Sequence, residues 1–508
     1  MQRKQLTLVI VSLLVVVLSV SLAWFTTQII GKGKDVSVTS ANLQIVFTDS
    51  DGALTETDIE PGWSATKSFT IKNDTKTEYK YNIVIKDLLN TFVTNGYLQY
   101  KITSTNNGYN MTEFKDIPKS SIATDTILAY SVVIPNGVTQ SYTIEFKYAN
   151  DESVDQSDDM GKKLSGTLFI TEGTEQPTLL SQILKDNPTR STRSNNNNGT
   201  NDFATPLTAT TTGTLFTSTE SITGITDTPK EVYYYAGNTT NNWVKFANLY
   251  WRIIRTNHDG SIRLLYVGIS HDTTAGNIGK STFNTSKNSP KYVGYKYGED
   301  TSLDTIRNNT TDSAIKTFID SWYQNKLTNY TKYLSTSAVY CNDRSEGTGQ
   351  TYSASADFNF APYYRMDYDT DGAKANPSYN CTDIRDAFSV DNTSAKLDYP
   401  VSLMTADEIA FAGGVAFQTM NTPYAWFISN SAGTQVSTYW WSLSPFYWYI
   451  GYAYGWYWNS DNAYLSINSV VDSFAVRPAI SLKSCIKYST GDGTSESPYE
   501  IVETSSGC

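Results

Sequence analysis

Residues 439–480 read YWWSLSPFYWYIGYAYGWYWNSDNAYLSINSVVDSFAVRPAI. Trp and Tyr crowd a stretch that also carries Gly451 and Gly455, followed by Asn459, Ser460, Asp461 and Asn462. A core strand alternates large apolar residues with polar ones and draws freely on Val, Ile and Leu. This stretch uses flat rings with polar tips instead. Such rings give large contact area at low entropy cost, which is the vocabulary of recognition surfaces. The reading that follows is a ligand-binding face made of Tyr447, Trp448, Tyr449, Tyr452, Tyr454, Trp456, Tyr457, Trp458, Asn459 and Asp461. An aromatic core hairpin is the competing reading.

Working outward, a chain of 508 residues has room for two or three domains, and 39% hydrophobic residues can bury real cores. The net charge is -11, with no long basic run beyond the N-terminus, so no nucleic-acid partner is expected. The two histidines, His258 and His271, leave little for histidine-based catalysis or metal binding. At the N-terminus, Arg3 and Lys4 precede an apolar run over residues 6–25, with Ser21 and Ala23 as small residues for a cleavage site. Residues 1–25 therefore read as a cleaved signal peptide or a retained membrane anchor. Either exports the remainder, to the extracellular face of the cell envelope or beyond it. Four cysteines fit that compartment, and the simplest of their three pairings is local: Cys341 with Cys381, and Cys485 with Cys508. A zinc site lacks the C-x-x-C pair that would support it.

The segment 36–172 reads as an all-β sandwich. Tyr79, Tyr81, Ile83 and Ile85 face one way while Lys80, Asn82 and Lys86 face the other; Tyr142, Ile144, Phe146 and Tyr148 alternate in the same manner with Thr143, Glu145 and Lys147. Turns such as Pro61-Gly62, Asn95-Gly96 and Pro135-Asn136-Gly137 punctuate the strands. Three phrases, LAWFT at 22–26, SANLQIVF at 40–47 and DIEPGWSATKSFTIKN at 58–73, resemble the camelysin and TasA-like family of Gram-positive surface and biofilm-fibre proteins. The resemblance covers about the first third of the chain. It implies an exported domain able to self-associate by lending an N-terminal strand to a neighbour.

Residues 173–230 read as a linker or stalk, with a short helix at 179–184, an Asn tract at 195–198 and a Thr-rich run around 208–214. From 231 to 508 the texture becomes aromatic-rich α+β. Residues 244–256 and 261–269 flank the hairpin signal Asn257-His258-Asp259-Gly260. Ile315, Phe318, Ile319 and Trp322 place a helix over 313–326, and Thr405 with Glu408 forms a capping box that opens a second helix closed by Gly413 and Gly414.

The phrases YYYAGNTTNNWVKFANLYWRIIR (233–255), VYCNDRS (339–345), YPVSLMTADEIAFAGG (399–414), WWSLSP (440–445) and VRPAISLK (476–483) resemble a group of uncharacterised surface domains of Gram-positive gut bacteria. Their ending, a Trp-Ser-x-Ser-Pro strand, an aromatic stretch and a terminal V-R-P strand, is similar to C-type-lectin-like and formylglycine-generating-enzyme-like folds. That resemblance implies an α+β recognition domain with its variable face at the aromatic stretch. Trp448, Trp456 and Trp458 depart from the diversified faces of such proteins, where Trp is not expected.

Asp367, Asp369 and Asp371, followed by Gly372, open like a calcium loop, which makes calcium the one cofactor the sequence suggests. Ser378 stands where the loop needs a bidentate Glu, with Asp383 or Asp386 as substitutes; the competing reading is a solvated acidic loop. No enzyme motif is present in the sequence. Asp407 and Glu408 are adjacent and diverge on a helix, and Arg477 reads as structural. Three functions stay open: a recognition protein for an extracellular glycan or surface protein, a fibre or matrix subunit, and a hydrolase with carboxylates that leave no short motif.

Overall fold

Alternation of apolar and polar residues builds most of what is seen. The computed structural model describes residues 35–40, 43–49, 60–94, 96–195, 200–207, 215–420, 425–436 and 439–508, with side chains from residue 60 onward. The 1–25 segment lies outside the described residues, and among those residues no helix is long and apolar enough to cross a membrane. The chain divides into two units, Met1–Gln176 and Pro177–Cys508.

The first unit is all-β. Its strands are β1 (Asp35–Ser40), β2 (Leu43–Asp49), β3 (Ser64–Asn73), β4 (Tyr79–Asn90), β5 (Leu98–Ser104), β6 (Lys115–Asp116), β7 (Ser120–Ile134), β8 (Thr139–Tyr148) and β9 (Leu164–Glu172). One sheet runs β1-β2-β3-β8-β5-β6 and the other β7-β4-β9, and buried residues of both feed one core. In β8 the expected period holds: Gln140, Tyr142, Ile144, Phe146 and Tyr148 are buried while the residues between them are not. β4 departs from it. Asn82, expected outward, is buried, donates to the Glu172 carbonyl at 2.9 Å and accepts from the Ser131 and Thr174 amides. A buried amide is tolerated here because both its ends are bonded.

In the second unit the expected linker proves to be structure. Leu179–Asp186 is a helix capped by Thr178, with Leu179 and Ile183 in the core. Strand Leu215–Ile222 pairs antiparallel with Thr226–Tyr235 and joins a ten-stranded sheet. The low apolar content of this stretch misleads because Thr is a good strand former, and the strand buries only Leu215, Phe216, Ile222 and the ion-paired Glu220. Asn195, at the head of the Asn tract, donates to the Lys374 carbonyl at 3.0 Å; residues 196–199 and 208–214 lie outside the described set.

Residues 244–256 are not one strand. Trp243–Phe246 turns at Ala247 and Asn248, both at φ 57°, into Leu249–Thr256, the positive-φ pair that a tight hairpin requires. The helix expected over 313–326 is Ala314–Lys326, capped by Ser313, with Ile315, Ile319 and Tyr323 buried. The second is Ala406–Ala412, with the Thr405–Glu408 capping box formed and Gly413 at φ 118° closing it.

Both disulfides form, Cys341–Cys381 and Cys485–Cys508, with Cα separations of 5.8 and 5.7 Å. Disulfides persist in oxidising compartments, which is compatible with an extracellular location. The Cys341–Cys381 bridge spans 40 residues. Replacing both of its cysteines by Ser is expected to lower stability by about 3 kcal/mol, read as a shift in urea midpoint.

Candidate functional site: an aromatic hairpin tip

Strands Trp440–Tyr449 and Tyr452–Asn459 form an antiparallel hairpin turning at Ile450 and Gly451, the latter at φ 86°. At its tip Tyr449 pairs with Tyr452, Trp448 with Ala453, and Tyr447 with Tyr454. Side chains alternate across a strand, so Trp448 and Ala453 go to one face and the four tyrosines to the other. The first face is core.

Half of the expected recognition face is buried. Trp448 is 2% exposed, Trp456 and Trp458 0%, and Tyr457 and Asn459 are buried too. This corrects the reading of these five as surface. The core of this unit is wide, and indoles fill it where aliphatic side chains would leave voids. Trp458 meets Phe427 at 4.9 Å and Trp456 meets Phe446 at 4.9 Å, while Tyr457 packs on Phe474 at 4.6 Å. Asn459 accepts from the Asn462 amide in the following turn. Asp461 is exposed and accepts from the Tyr439 hydroxyl at 2.6 Å.

The other tip residues differ. Tyr449 is 56% exposed, Ile450 57% and Tyr452 41%, with Tyr447 and Tyr454 partly exposed. Tyr447 and Tyr454 stack at 4.8 Å with their planes 16° apart, and Tyr452 continues the stack at 6.2 Å from Tyr454. The Lys287 ammonium sits 3.8 Å from the Tyr452 ring centre and closes that end. Tyr449 stands edge-on to Tyr447, and Asp357 holds the turn by accepting from the Ile450 amide at 2.8 Å. Burial first, and then the neighbouring Tyr454, push the Tyr447 hydroxyl up to about 12, so it stays a neutral donor at ordinary pH.

The ring contacts continue beyond the hairpin. Phe446 touches Tyr447 at 4.6 Å and Tyr368 at 4.8 Å; Tyr368 touches Phe417 at 5.0 Å, and Phe417 touches Tyr464 at 5.5 Å. Sequence reasoning missed Lys287, Asp357, Tyr368 and Phe417 as neighbours of the tip. They come from segments with no local pattern that points to it.

The three aspartates of the expected calcium loop do not converge. Asp367 accepts from the Lys374 amide at 2.6 Å and from Thr370, while Asp369 accepts from the Tyr363 hydroxyl. Asp371 contributes its backbone carbonyl to Gln418. Among the described residues the carboxylates that converge are Asp312, Asp320 and Asp398. The Lys316 ammonium already sits among them, at 3.0, 2.6 and 2.6 Å.

The same unit holds a buried ion network that no local motif signals. Glu408 accepts from Arg255 at 2.8 Å and from Arg263, and Arg255 also reaches Glu220 at 2.8 Å. Burial opposes the charge on Glu220, but Arg255 outweighs it and holds the carboxyl down to about 2. Asp407 diverges from Glu408 as expected and takes Arg365 instead, at 2.8 and 3.0 Å. These carboxylates line a small polar crevice beside Cys341, each already clamped by a guanidinium. Arg477 is structural: it donates to the Tyr266 and Phe427 carbonyls under the Trp440 ring, and burial pushes it down to about 9.

No protein-family model matches the chain, and no curated protein matches it. Among solved structures, one similar chain is AvmM, described as catalysing macrocyclization in alchivemycin A biosynthesis. It shares 12% identity over 29% of this chain and all of its own, with a TM-score of 0.16, too low to carry an argument about fold or function.

Proposed function

We propose that this is an exported cell-surface recognition protein whose C-terminal unit presents the 447–454 hairpin tip to an extracellular ligand. The observation that carries this reading is the tip itself. Tyr449 and Ile450 are each more than half exposed, side by side, on a hairpin whose other face is locked into the core by Trp448. Large apolar side chains grouped at a rigid, projecting turn are uncommon without a use for them. The two disulfides support the extracellular placement, and an α+β, C-type-lectin-like architecture for residues 231–508 belongs to the same proposal. In this reading the all-β first unit carries the second on the outer face of the envelope.

The test is a screen of the purified protein against arrayed glycans and purified surface proteins. Tyr449→Ser with Ile450→Ser is expected to abolish binding while the melting temperature stays close to that of the parent. Retained binding by that variant would remove the tip from the site.

A further inference from the structure

Resting on that reading, we propose that the ligand is an uncharged, extended glycan, laid along a strip of rings that begins at the tip and runs to Tyr464. Tyr452, Tyr454, Tyr447, Tyr368, Phe417 and Tyr464 are all at least partly exposed, and unbroken ring contacts join them, with the buried Phe446 bridging Tyr447 to Tyr368. A folded protein partner binds through a patch whose central residues are fully dehydrated behind a rim. A row of partly exposed rings instead suits a linear chain.

The chemistry along the strip selects among linear chains. Five of its six members end in a phenol, which bonds sugar hydroxyls while the ring carbons pack against C–H groups. Charge argues against a polyanion. The protein carries a net charge of -11; Asp357 bonds the turn at one end, and Asp461 bonds Tyr439 on the strand edge nearer the other. Lys287, the cation at the tip, is engaged with the Tyr452 ring.

Phe417 supplies an independent sign that the strip is maintained. It adopts φ 55°, a left-handed conformation that is uncommon for a non-glycine residue, and its amide donates to the Leu465 carbonyl at 3.1 Å. This conformation sets the ring between Tyr368 and Tyr464, where it joins the two halves of the row.

The experiment is a length series on the full chain by calorimetry, using uncharged gluco-, xylo- and manno-oligosaccharides from disaccharide to hexasaccharide, with heparin as the polyanion. The expected result is that one neutral series gains about tenfold or more in affinity with length, with little change between low and high salt. Tyr368→Ser with Tyr464→Ser should remove the gain for the hexasaccharide. Length-independent affinity overturns the proposal, as does binding confined to heparin; neither needs a folded variant. A purified surface protein that binds and is lost on Tyr449→Ser, with no sugar bound, sinks the glycan while leaving tip recognition standing. Binding that survives Tyr449→Ser with Ile450→Ser removes the tip from the site, and a length gain that also survives Tyr368→Ser with Tyr464→Ser sinks the strip.

Discussion

Trp456→Ala lowers the stability of the C-terminal unit by about 3–5 kcal/mol, the cost of emptying a buried aromatic site. Tyr449→Ser, seven positions away on the same hairpin, changes it by less than about 0.5 kcal/mol. The contrast follows from geometry. Trp456 is 0% exposed, with Phe446 across it at 4.9 Å and Phe417 at its edge, whereas Tyr449 is 56% exposed and touches Tyr447 by its edge. Truncating the indole leaves a cavity that the surrounding rings are too rigid to fill. Truncating the phenol leaves water where water already was. Urea unfolding of the two variants at constant m-value checks both numbers. Equal destabilisation would show that the tip is as deeply built into the core as the strand beneath it.

Glu408→Ala is expected to cost a similar amount, about 3–5 kcal/mol, by a different mechanism. Its carboxylate accepts from Arg255 and Arg263, both buried, and from the Thr405 amide at 2.9 Å. Removal takes its carboxylate partner from the buried Arg263, leaves Arg255 with Glu220 alone, and removes the side-chain half of the capping box. The same network sets an acid limit. Burial opposes ionisation, but the arginines win, holding Glu408 below its ordinary value and Glu220 down from 4.5 to about 2. A carboxyl depressed on folding contributes stability that is fully present above its unfolded value and is lost as pH falls through its folded one. Stability should therefore hold from neutral pH down to about 4.5 and fall progressively towards pH 2, with a shallower fall in Glu408→Gln. Melting temperatures across that range decide it; an equally steep fall in the variant would place the acid sensitivity elsewhere.

Which features were legible depended on distance along the chain. The Thr405–Glu408 capping box was visible because both partners sit within one turn, and the alternation of Tyr142, Ile144 and Phe146 because a strand repeats every two residues. The disulfide pairing followed from proximity in sequence. The partner of Glu408 was not visible: Arg255 lies 153 positions away, and only the fold brings them together. The hairpin failed differently. Its rings are conspicuous, but composition cannot tell which face of a strand meets the core, so nothing in the sequence separates Trp448, Trp456 and Trp458 from Tyr449 and Tyr452. The turn at Ala247 and Asn248 carries no glycine, and so a break between two strands passed as one.

Lys316 has a consequence of its own. Its ammonium, 0% exposed, occupies the point where Asp312, Asp320 and Asp398 meet. A dissolved ion in that position would be exchangeable, and its occupancy would follow whatever the surroundings supplied. A positive charge carried on a side chain is tethered: dilution does not remove it, and no chelator competes for it. This corner of the molecule is thus held shut by a cation that was translated rather than captured, and its cohesion does not wait on a metal ion from the medium.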